Sequence, residues 1–133
     1  MFPNAEITKA PRAAVNNALA MLANLPTATV RDGKELIASP WPIVTRPTLD
    51  PDVWIDSTVE DVSIEDLYAT QQFLNRERVA QFVENPGAIE NGRRALANVY
   101  DNGRMLIVDG HHRLAAYWLL GAERANVWYL VES

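Results

Sequence analysis

The sequence predicts a mixed α/β (α+β) fold in which helices pack around a small mixed sheet, and three observations support this prediction. Apolar residues recur at helical spacing between Pro11 and Leu25. Two strand-like apolar runs flank Asn102-Gly103, and Asn-Gly is the preferred pair of a tight hairpin turn. A later helical pattern closes at Gly121 and is followed by one more apolar run. We therefore expect helices and strands to share one core.

Composition limits the classes of protein that this chain can belong to. It has 133 residues, of which 48% are hydrophobic, so we expect one structural domain with a single core. The formal net charge of -5 argues against a generic duplex-DNA binder, which needs a basic face. The absence of cysteine excludes disulfides, thiolate metal ligands and thiol nucleophiles. Because no long apolar span or secretory signal pattern is present, we expect a cytoplasmic protein that does not enter a membrane.

Residues 1–58 are predicted to form a helix and an arm that pack on a core made by residues 59–133. The helical spacing and the flanking prolines predict a helix over residues 11–25. In residues 27–58, four prolines interrupt any regular pattern, which indicates an extended arm. This helix and arm offer a surface for a protein partner or for a second copy of the chain. The arm contains two tryptophans that would anchor it to the core: Trp41 and Trp54.

The segment that leads to the next helix leaves one boundary open. Alternation of apolar and polar residues across 62–64 is typical of a short strand, whereas Ser63 is equally suited to cap a helix. Asn75 is predicted to cap the helix that follows it. This prediction depends on Leu74 and Val79, which have the spacing of a hydrophobic staple around that cap.

The last third of the chain has the clearest local signals. The runs 96–100 and 105–108 are predicted to be the two strands of a hairpin. The second strand brings Asp109 to its carboxyl end, where mixed α/β folds tend to bind ligands. A helix over residues 111–120 and a final buried strand over residues 125–131 follow.

The predicted functional site is the junction between this strand and this helix, which reads Asp109-Gly110-His111-His112-Arg113. The N-terminus of a helix offers unpaired backbone N–H groups and a partial positive charge, so the amides of residues 110–112 suit a phosphate. Arg113 carries a planar guanidinium that neutralises phosphate charge, or that forms an ion pair with Glu123 or Asp109 instead.

The remaining charged and titratable residues have two interpretations each. Asp109 is suited to hold a divalent cation or accept a proton, and equally to form a turn or cap before a helix. His111 and His112 point about 100° apart on a helix, so we expect one to bind phosphate and the other to pack. Arg93 and Arg94, in the loop before the hairpin, either reach the ligand or only solubilise the loop.

The junction and an upstream segment together resemble the ParB/sulfiredoxin superfamily, in particular its ParB-like nuclease branch. The residues that carry the resemblance are Val108-Asp109-Gly110-His111-His112-Arg113-Leu114-Ala115-Ala116, Leu120-Gly121 and Glu65-Asp66-Leu67-Tyr68-Ala69-Thr70-Gln71-Gln72. The resemblance implies a nucleotide such as ATP or CTP, bound by its phosphates at residues 110–113. It also implies that Gln71, Gln72 and Glu65 orient a substrate or a base. His111 stands where relatives have glutamate or cysteine, so sulfinic-acid repair is excluded.

We expect a protein that binds a nucleotide or nucleic-acid phosphate at residues 110–113, assisted by Gln72 and Arg94. If it is an enzyme, it performs metal-assisted phosphodiester hydrolysis or phosphoryl transfer, as a nuclease, a nucleotide hydrolase or a small-molecule kinase. Asp109 would hold Mg²⁺ or Mn²⁺ or act as base, and residues 111–113 would complete the catalytic set. Because the sequence leaves no room after the predicted last strand for helix-turn-helix and dimerisation regions, we do not expect a DNA-sliding clamp. The alternative is a non-enzymatic binding or assembly module that retains the fold.

Overall fold

The computed structural model describes residues 10–45, 54–85, 95–101 and 104–132, and it confirms a mixed α/β architecture. No helix within these ranges has the length and the apolar character that a membrane crossing requires. The elements, in chain order, are α1 (Arg12–Asn24), β1 (Thr27–Arg31), β2 (Lys34–Ala38), β3 (Trp54–Ser63), a 3-10 turn (Ile64–Asp66), β4 (Phe73–Asn75), α2 (Arg76–Glu84), β5 (Leu96–Asp101), β6 (Arg104–Asp109), α3 (His111–Leu119) and β7 (Arg124–Glu132).

The structure corrects the arm predicted for residues 27–58, because β1 and β2 form an antiparallel hairpin there. Its register places Arg31 opposite Lys34. Asp32 and Gly33 make the turn with φ values of 51° and 74°, and two consecutive positive values are what a type I′ hairpin requires. The prediction was wrong because the prolines that interrupt the pattern all lie beyond this hairpin.

The strands form two sheets. The first has the order β1-β2-β4, with both pairs antiparallel. The second has the order β3-β7-β5-β6, in which β7 and β5 run parallel and the other pairs run antiparallel. Because β3 begins at Trp54 and continues to Ser63, it crosses the predicted boundary between residues 58 and 59. The predicted arm and the predicted core therefore share a strand.

Segment 68–72 joins the two sheets through its backbone. On one side, the N–H of Tyr68 donates to the carbonyl of Met105 at 2.9 Å, and the N–H of Ile107 donates to the carbonyl of Tyr68 at 2.8 Å. On the other side, it is bonded to the stretch that follows β2: the N–H of Ser39 donates to the carbonyl of Gln72 and the N–H of Ala69 donates to the carbonyl of Pro42, each at 2.9 Å. The segment then continues into β4 of the first sheet.

Trp41 anchors the stretch after β2, as predicted for one of the two tryptophans. Its indole is 5% exposed, and its Nε1 donates to the carbonyl of Ile64 at 2.8 Å. Ile64 opens the 3-10 turn that follows β3, so the boundary that the sequence left open is a strand to Ser63 and then a turn. The side chain of Trp54 lies outside the described part of the chain.

The elements that local signals predicted are confirmed. Helix α1 follows Pro11, and α2 follows Asn75, whose side-chain oxygen accepts the N–H of Arg78 at 3.1 Å. The hairpin of β5 and β6, the helix α3 and the strand β7 lie where the sequence placed them. The turn residues Asn102-Gly103 themselves lie outside the described ranges.

A single hydrophobic core lies under both sheets and all three described helices. It draws on the N-terminal part of the chain as well as on the later part. The buried residues from the first 45 positions are Val15, Ala18, Leu22, Ile37 and Trp41. Helix α2 packs on both α1 and α3, which places the N-terminus of α3 beside β4 and the start of α2.

Candidate functional site

Helix α3 starts directly after β6, with Gly110 as its N-cap residue. Gly110 has a φ of 92°, and a Cβ at this position would lie 2.7 Å from the Cβ of Ala95, so conformation and packing both require glycine. Glycine has no side chain that could cap the helix, which leaves the N–H groups of the first turn for other acceptors. This geometry is compatible with an anion at the helix N-terminus.

His111 is buried, with 4% of its surface exposed, and it holds the segment before β4. Its Nε2 accepts the N–H of Thr70 at 3.1 Å and the N–H of Gln71 at 3.3 Å. A ring nitrogen that accepts carries no proton, so His111 is neutral with its proton on Nδ1. Burial, and to a smaller extent His112, lower the pKa of His111 to about 4, against an opposite effect of Asp109.

His112 is partly buried and holds the start of α2. Its Nε2 accepts the N–H of Asn75 at 3.0 Å, so this imidazole is also neutral with its proton on Nδ1. Burial first, and then the charges of Arg78 and Arg113, lower the pKa of His112 to about 4, although Asp109 acts in the opposite direction. Of the two histidines, His111 is therefore the packed one.

A polar concavity of about 460 Å³ lies beside His112, between the first sheet and the starts of α2 and α3. We call it the arginine cleft, because two arginines line it from different elements and no acidic residue is among the described residues of its lining. Its polar lining residues are Arg31, Thr70, Gln71, Gln72, Asn75, Arg78 and His112.

The two arginines of the cleft are the residues that sequence reasoning missed. The guanidinium carbon of Arg31 lies 5.3 Å from the ring centroid of Phe73, and Arg78 projects from the first turn of α2. Among the described residues, neither arginine forms an ion pair with an acid. One available signal was the Asp32-Gly33 pair, because a hairpin turn there places Arg31 in a strand, opposite Lys34.

The structure separates the two ends of the predicted junction. Asp109 is exposed at the carboxyl end of β6. Arg113 is partly buried, with its guanidinium carbon 5.5 Å from the ring centroid of Phe82 on α2, and it does not line the cleft. In the described ranges, Arg113 pairs with neither Asp109 nor Glu123, the acids considered as its structural partners.

The upstream candidates lie in two different places. Gln71 and Gln72 line the arginine cleft, where the Nε2 of Gln71 donates to the carbonyl of Phe73 at 2.8 Å. Glu65 lines a separate concavity of about 360 Å³ together with Trp118. The predicted ligand residue Arg94, like Arg93, lies outside the described residues.

The described residues offer a metal ion few ligands. Nowhere in the described ranges do three or more histidine, aspartate or glutamate side chains lie together as a metal site would need. Both histidines use Nε2 to accept backbone N–H groups. Mg²⁺ or Mn²⁺ at Asp109 would therefore take most of its ligands from phosphate and water, which is a common arrangement for Mg²⁺. Asp109 as a metal ligand stays a prediction.

Comparison of the chain with protein-family models, with curated proteins and with solved structures finds no match. The ParB/sulfiredoxin resemblance of residues 65–72 and 108–121 therefore stays a prediction. The class that the structure itself defines is a mixed α/β domain with a polar, arginine-lined cleft at the start of two helices.

Proposed function

We propose that the chain binds phosphate groups of a nucleotide or a nucleic acid in the arginine cleft, beside the first turn of α3. The observation that carries the proposal is that Arg31 and Arg78 line one concavity with His112, with no carboxylate among the described lining residues. In a chain with a net charge of -5, this local excess of guanidinium groups favours an anionic ligand. Guanidinium groups bind phosphate through charge-assisted, often paired hydrogen bonds.

The start of α3 supports the same class of ligand. Gly110 leaves the first-turn N–H groups without a side-chain cap, and the helix dipole adds a partial positive charge there. Thr70, Gln71 and Gln72 add hydroxyl and amide groups to the cleft wall. Such neutral groups can bind the uncharged part of a nucleotide while the arginines hold its phosphates.

If the chain is an enzyme, the expected reaction is phosphodiester hydrolysis or phosphoryl transfer. A divalent cation supplies Lewis-acid activation of the phosphate when it is bound. Asp109 would hold that ion or accept a proton, and Arg113 would neutralise charge. Because Nε2 of each histidine accepts a backbone N–H, Nδ1–H is the group through which an imidazole would donate to a phosphate.

Thermal shift and calorimetry with ATP, CTP, tripolyphosphate and a short oligonucleotide, each with and without Mg²⁺, test the binding proposal. We expect at least one of these probes to stabilise the chain. Arg78→Ala should weaken its binding about 10- to 100-fold, because a charge-assisted hydrogen bond contributes about 1.5–3 kcal/mol. Arg31→Ala should have an effect in the same range.

Arg12→Ala is the matched control for the loss of one guanidinium. Arg12 lies on α1, outside the cleft, and its Nη1 pairs with Glu84 at 2.9 Å on the surface. Its removal should leave probe affinity unchanged within about twofold, because exposed pairs contribute little. The proposal fails if no probe stabilises the chain, or if Arg12→Ala weakens binding as much as Arg78→Ala.

The second candidate is a binding or assembly module without turnover, and the state of the histidines favours it. Both imidazoles are engaged with backbone N–H groups of neighbouring segments, so they serve to hold the fold. Release of phosphate or of cleaved oligonucleotide under saturating probe separates the candidates. Turnover that Asp109→Ala abolishes while probe affinity persists supports an enzyme. Binding with no product in the wild type supports the module.

A further inference from the structure

Arg78 lines the arginine cleft from a helix, α2, whose N-cap residue Asn75 is held by α3. His112 Nε2 accepts the N–H of Asn75 at 3.0 Å, and the Oδ1 of Asn75 in turn accepts the N–H of Arg78 at 3.1 Å. One residue, the cap of α2, thus links the imidazole to the backbone that carries the Arg78 side chain. The same imidazole lies in the wall of the cleft.

The link depends on an acceptor at one ring position. Only an unprotonated Nε2 can accept the N–H of Asn75. The cap of α2 is the side-chain oxygen of Asn75, so a shift of Asn75 also moves the acceptor of the Arg78 N–H. An apolar side chain in place of His112 would leave that N–H without its partner, whereas a glutamine has an oxygen at a similar distance from its backbone.

We infer that His112 is a positioning residue that, by accepting the N–H of Asn75, fixes the start of α2 and so directs Arg78 into the cleft toward a phosphate ligand. It acts on the ligand through Arg78. The affinity measurements that test this inference rest on the proposed function. Its structural measurements depend only on backbone hydrogen bonds. It assigns to the second histidine of the junction a role distinct from direct phosphate binding.

Two substitutions at His112 separate the acceptor from the bulk of the ring. His112→Leu removes the acceptor, and His112→Gln replaces it. With the tightest of the four phosphate probes, we expect His112→Leu to bind about tenfold more weakly than His112→Gln, because only the glutamine keeps an acceptor for the N–H of Asn75. Equal loss in both variants would overturn the inference, because the acceptor would then not be what matters.

A double-mutant cycle with Arg78 tests the path of the effect. If His112 acts through Arg78, the variant His112→Leu/Arg78→Ala binds no more weakly than Arg78→Ala alone. The matched cycle uses Arg31, which lines the cleft from β1. In that cycle, the fold-losses in affinity of His112→Leu and Arg31→Ala should multiply in the double variant. Multiplying losses in the Arg78 cycle would overturn the inference.

Nuclear magnetic resonance of the ring and of the amides decides the inference without a ligand. In the wild type, ¹⁵N shifts should show His112 protonated at Nδ1 and unprotonated at Nε2, and a proton on Nε2 would overturn the inference. Amide exchange at Asn75 should be slow in the wild type and in His112→Gln, and at least tenfold faster in His112→Leu. If these results hold but no probe binds, the proposed function fails while the structural role of His112 remains.

Should His112→Leu fail to fold, the tautomer and His112→Gln still test the inference. The glutamine variant must keep the slow exchange of the Asn75 amide that the wild type shows. Fast exchange of Asn75 in a folded His112→Gln protein would overturn the role of the acceptor.

Discussion

At the scale of single residues, Gly110 combines a left-handed backbone with a neighbour that leaves no room for a side chain. We expect Gly110→Ala to lower the free energy of unfolding by about 3 kcal/mol, since the strained φ and the overlap with Ala95 each cost about 1–3 kcal/mol. Urea unfolding followed by circular dichroism measures the change.

Gly121→Ala is the matched control, because Gly121 has a similar φ of 89° with no atom near its missing Cβ. Gly121→Ala should lower the free energy of unfolding by only about 1 kcal/mol, because it carries the cost of the left-handed conformation alone. Equal losses at the two glycines would show that the contact of Gly110 with Ala95 does not matter.

The two histidines predict a pH dependence of stability. Each has a pKa of about 4 in the folded chain and an ordinary value of 6.5, so between these values the unfolded chain binds more protons. Their contribution is therefore fully present above pH 6.5 and is lost as the pH falls toward 4. The slope should approach about 1.4 kcal/mol per pH unit for each histidine.

Urea titrations between pH 7 and pH 5.5 measure this slope away from most carboxyl titrations. The chain contains only two histidines, so His112→Gln should roughly halve the slope. A stability that stays flat between pH 7 and pH 5.5 in the wild type would contradict neutral, accepting imidazoles.

At the scale of elements, Arg76 fastens the end of α1 to the start of α2. Its guanidinium donates to the carbonyls of Leu22 and Leu25, the latter at 2.8 Å, and to the hydroxyl of Thr27 at 2.9 Å. These carbonyls lie at a helix C-terminus, where a cation is favoured. Arg76→Met should therefore destabilise the chain by about 2–3 kcal/mol and expose the amides of α1 to exchange before the others.

Arg12→Met is the control for that substitution, because Arg12 is 64% exposed in its pair with Glu84. Its effect on the free energy of unfolding should be much smaller than that of Arg76→Met, because exposed ion pairs contribute little to stability. If the amides of α1 keep their protection in Arg76→Met, the guanidinium does not hold the helix.

Elements with a complete local signal could be predicted from sequence. Asn75 caps α2 between residues 74 and 79, which have the spacing of a hydrophobic staple, and the β5-β6 hairpin follows from two apolar runs around Asn-Gly. The β1-β2 hairpin was missed because it was interpreted together with the prolines after it, although Asp32-Gly33 is itself a hairpin signal. Its strands are mostly exposed, so they lack a clear apolar alternation.

At the scale of the whole molecule, the candidate site could be predicted only in part. The junction at residues 109–113 could be recognised as a candidate site because its residues are consecutive in the sequence. The arginine cleft could not be predicted in this way, since Arg31 and Arg78 lie 47 positions apart in the sequence. They line one cleft only through the pairing of β2 with β4 and the packing of α2. The hydrogen bonds of His111 to Thr70 and Gln71 are likewise long-range, and no local pattern encodes them.

The same long-range contacts predict that the chain unfolds as one unit. Residues 10–45 supply α1, two strands of the first sheet and Trp41 to the single core. A fragment of residues 46–133 keeps every element of the second sheet but exposes the faces that these residues cover. We expect this fragment to show no cooperative thermal transition and poorly dispersed amide resonances, because a domain of this size has little stability to spare.

The full chain and its Trp41→Phe variant provide the comparison for that fragment. Trp41→Phe keeps an aromatic ring in the core but leaves the carbonyl of Ile64 without its donor. The free energy of unfolding should therefore fall by about 1–3 kcal/mol, and the variant should still unfold in one transition. A fragment that melts cooperatively would mean that the N-terminal part is an addition to an independent core. Segment 68–72 carries part of the wall of the arginine cleft and is hydrogen-bonded to residues 39–44 as well as to the second sheet, so loss of residues 10–45 should also abolish phosphate-probe binding.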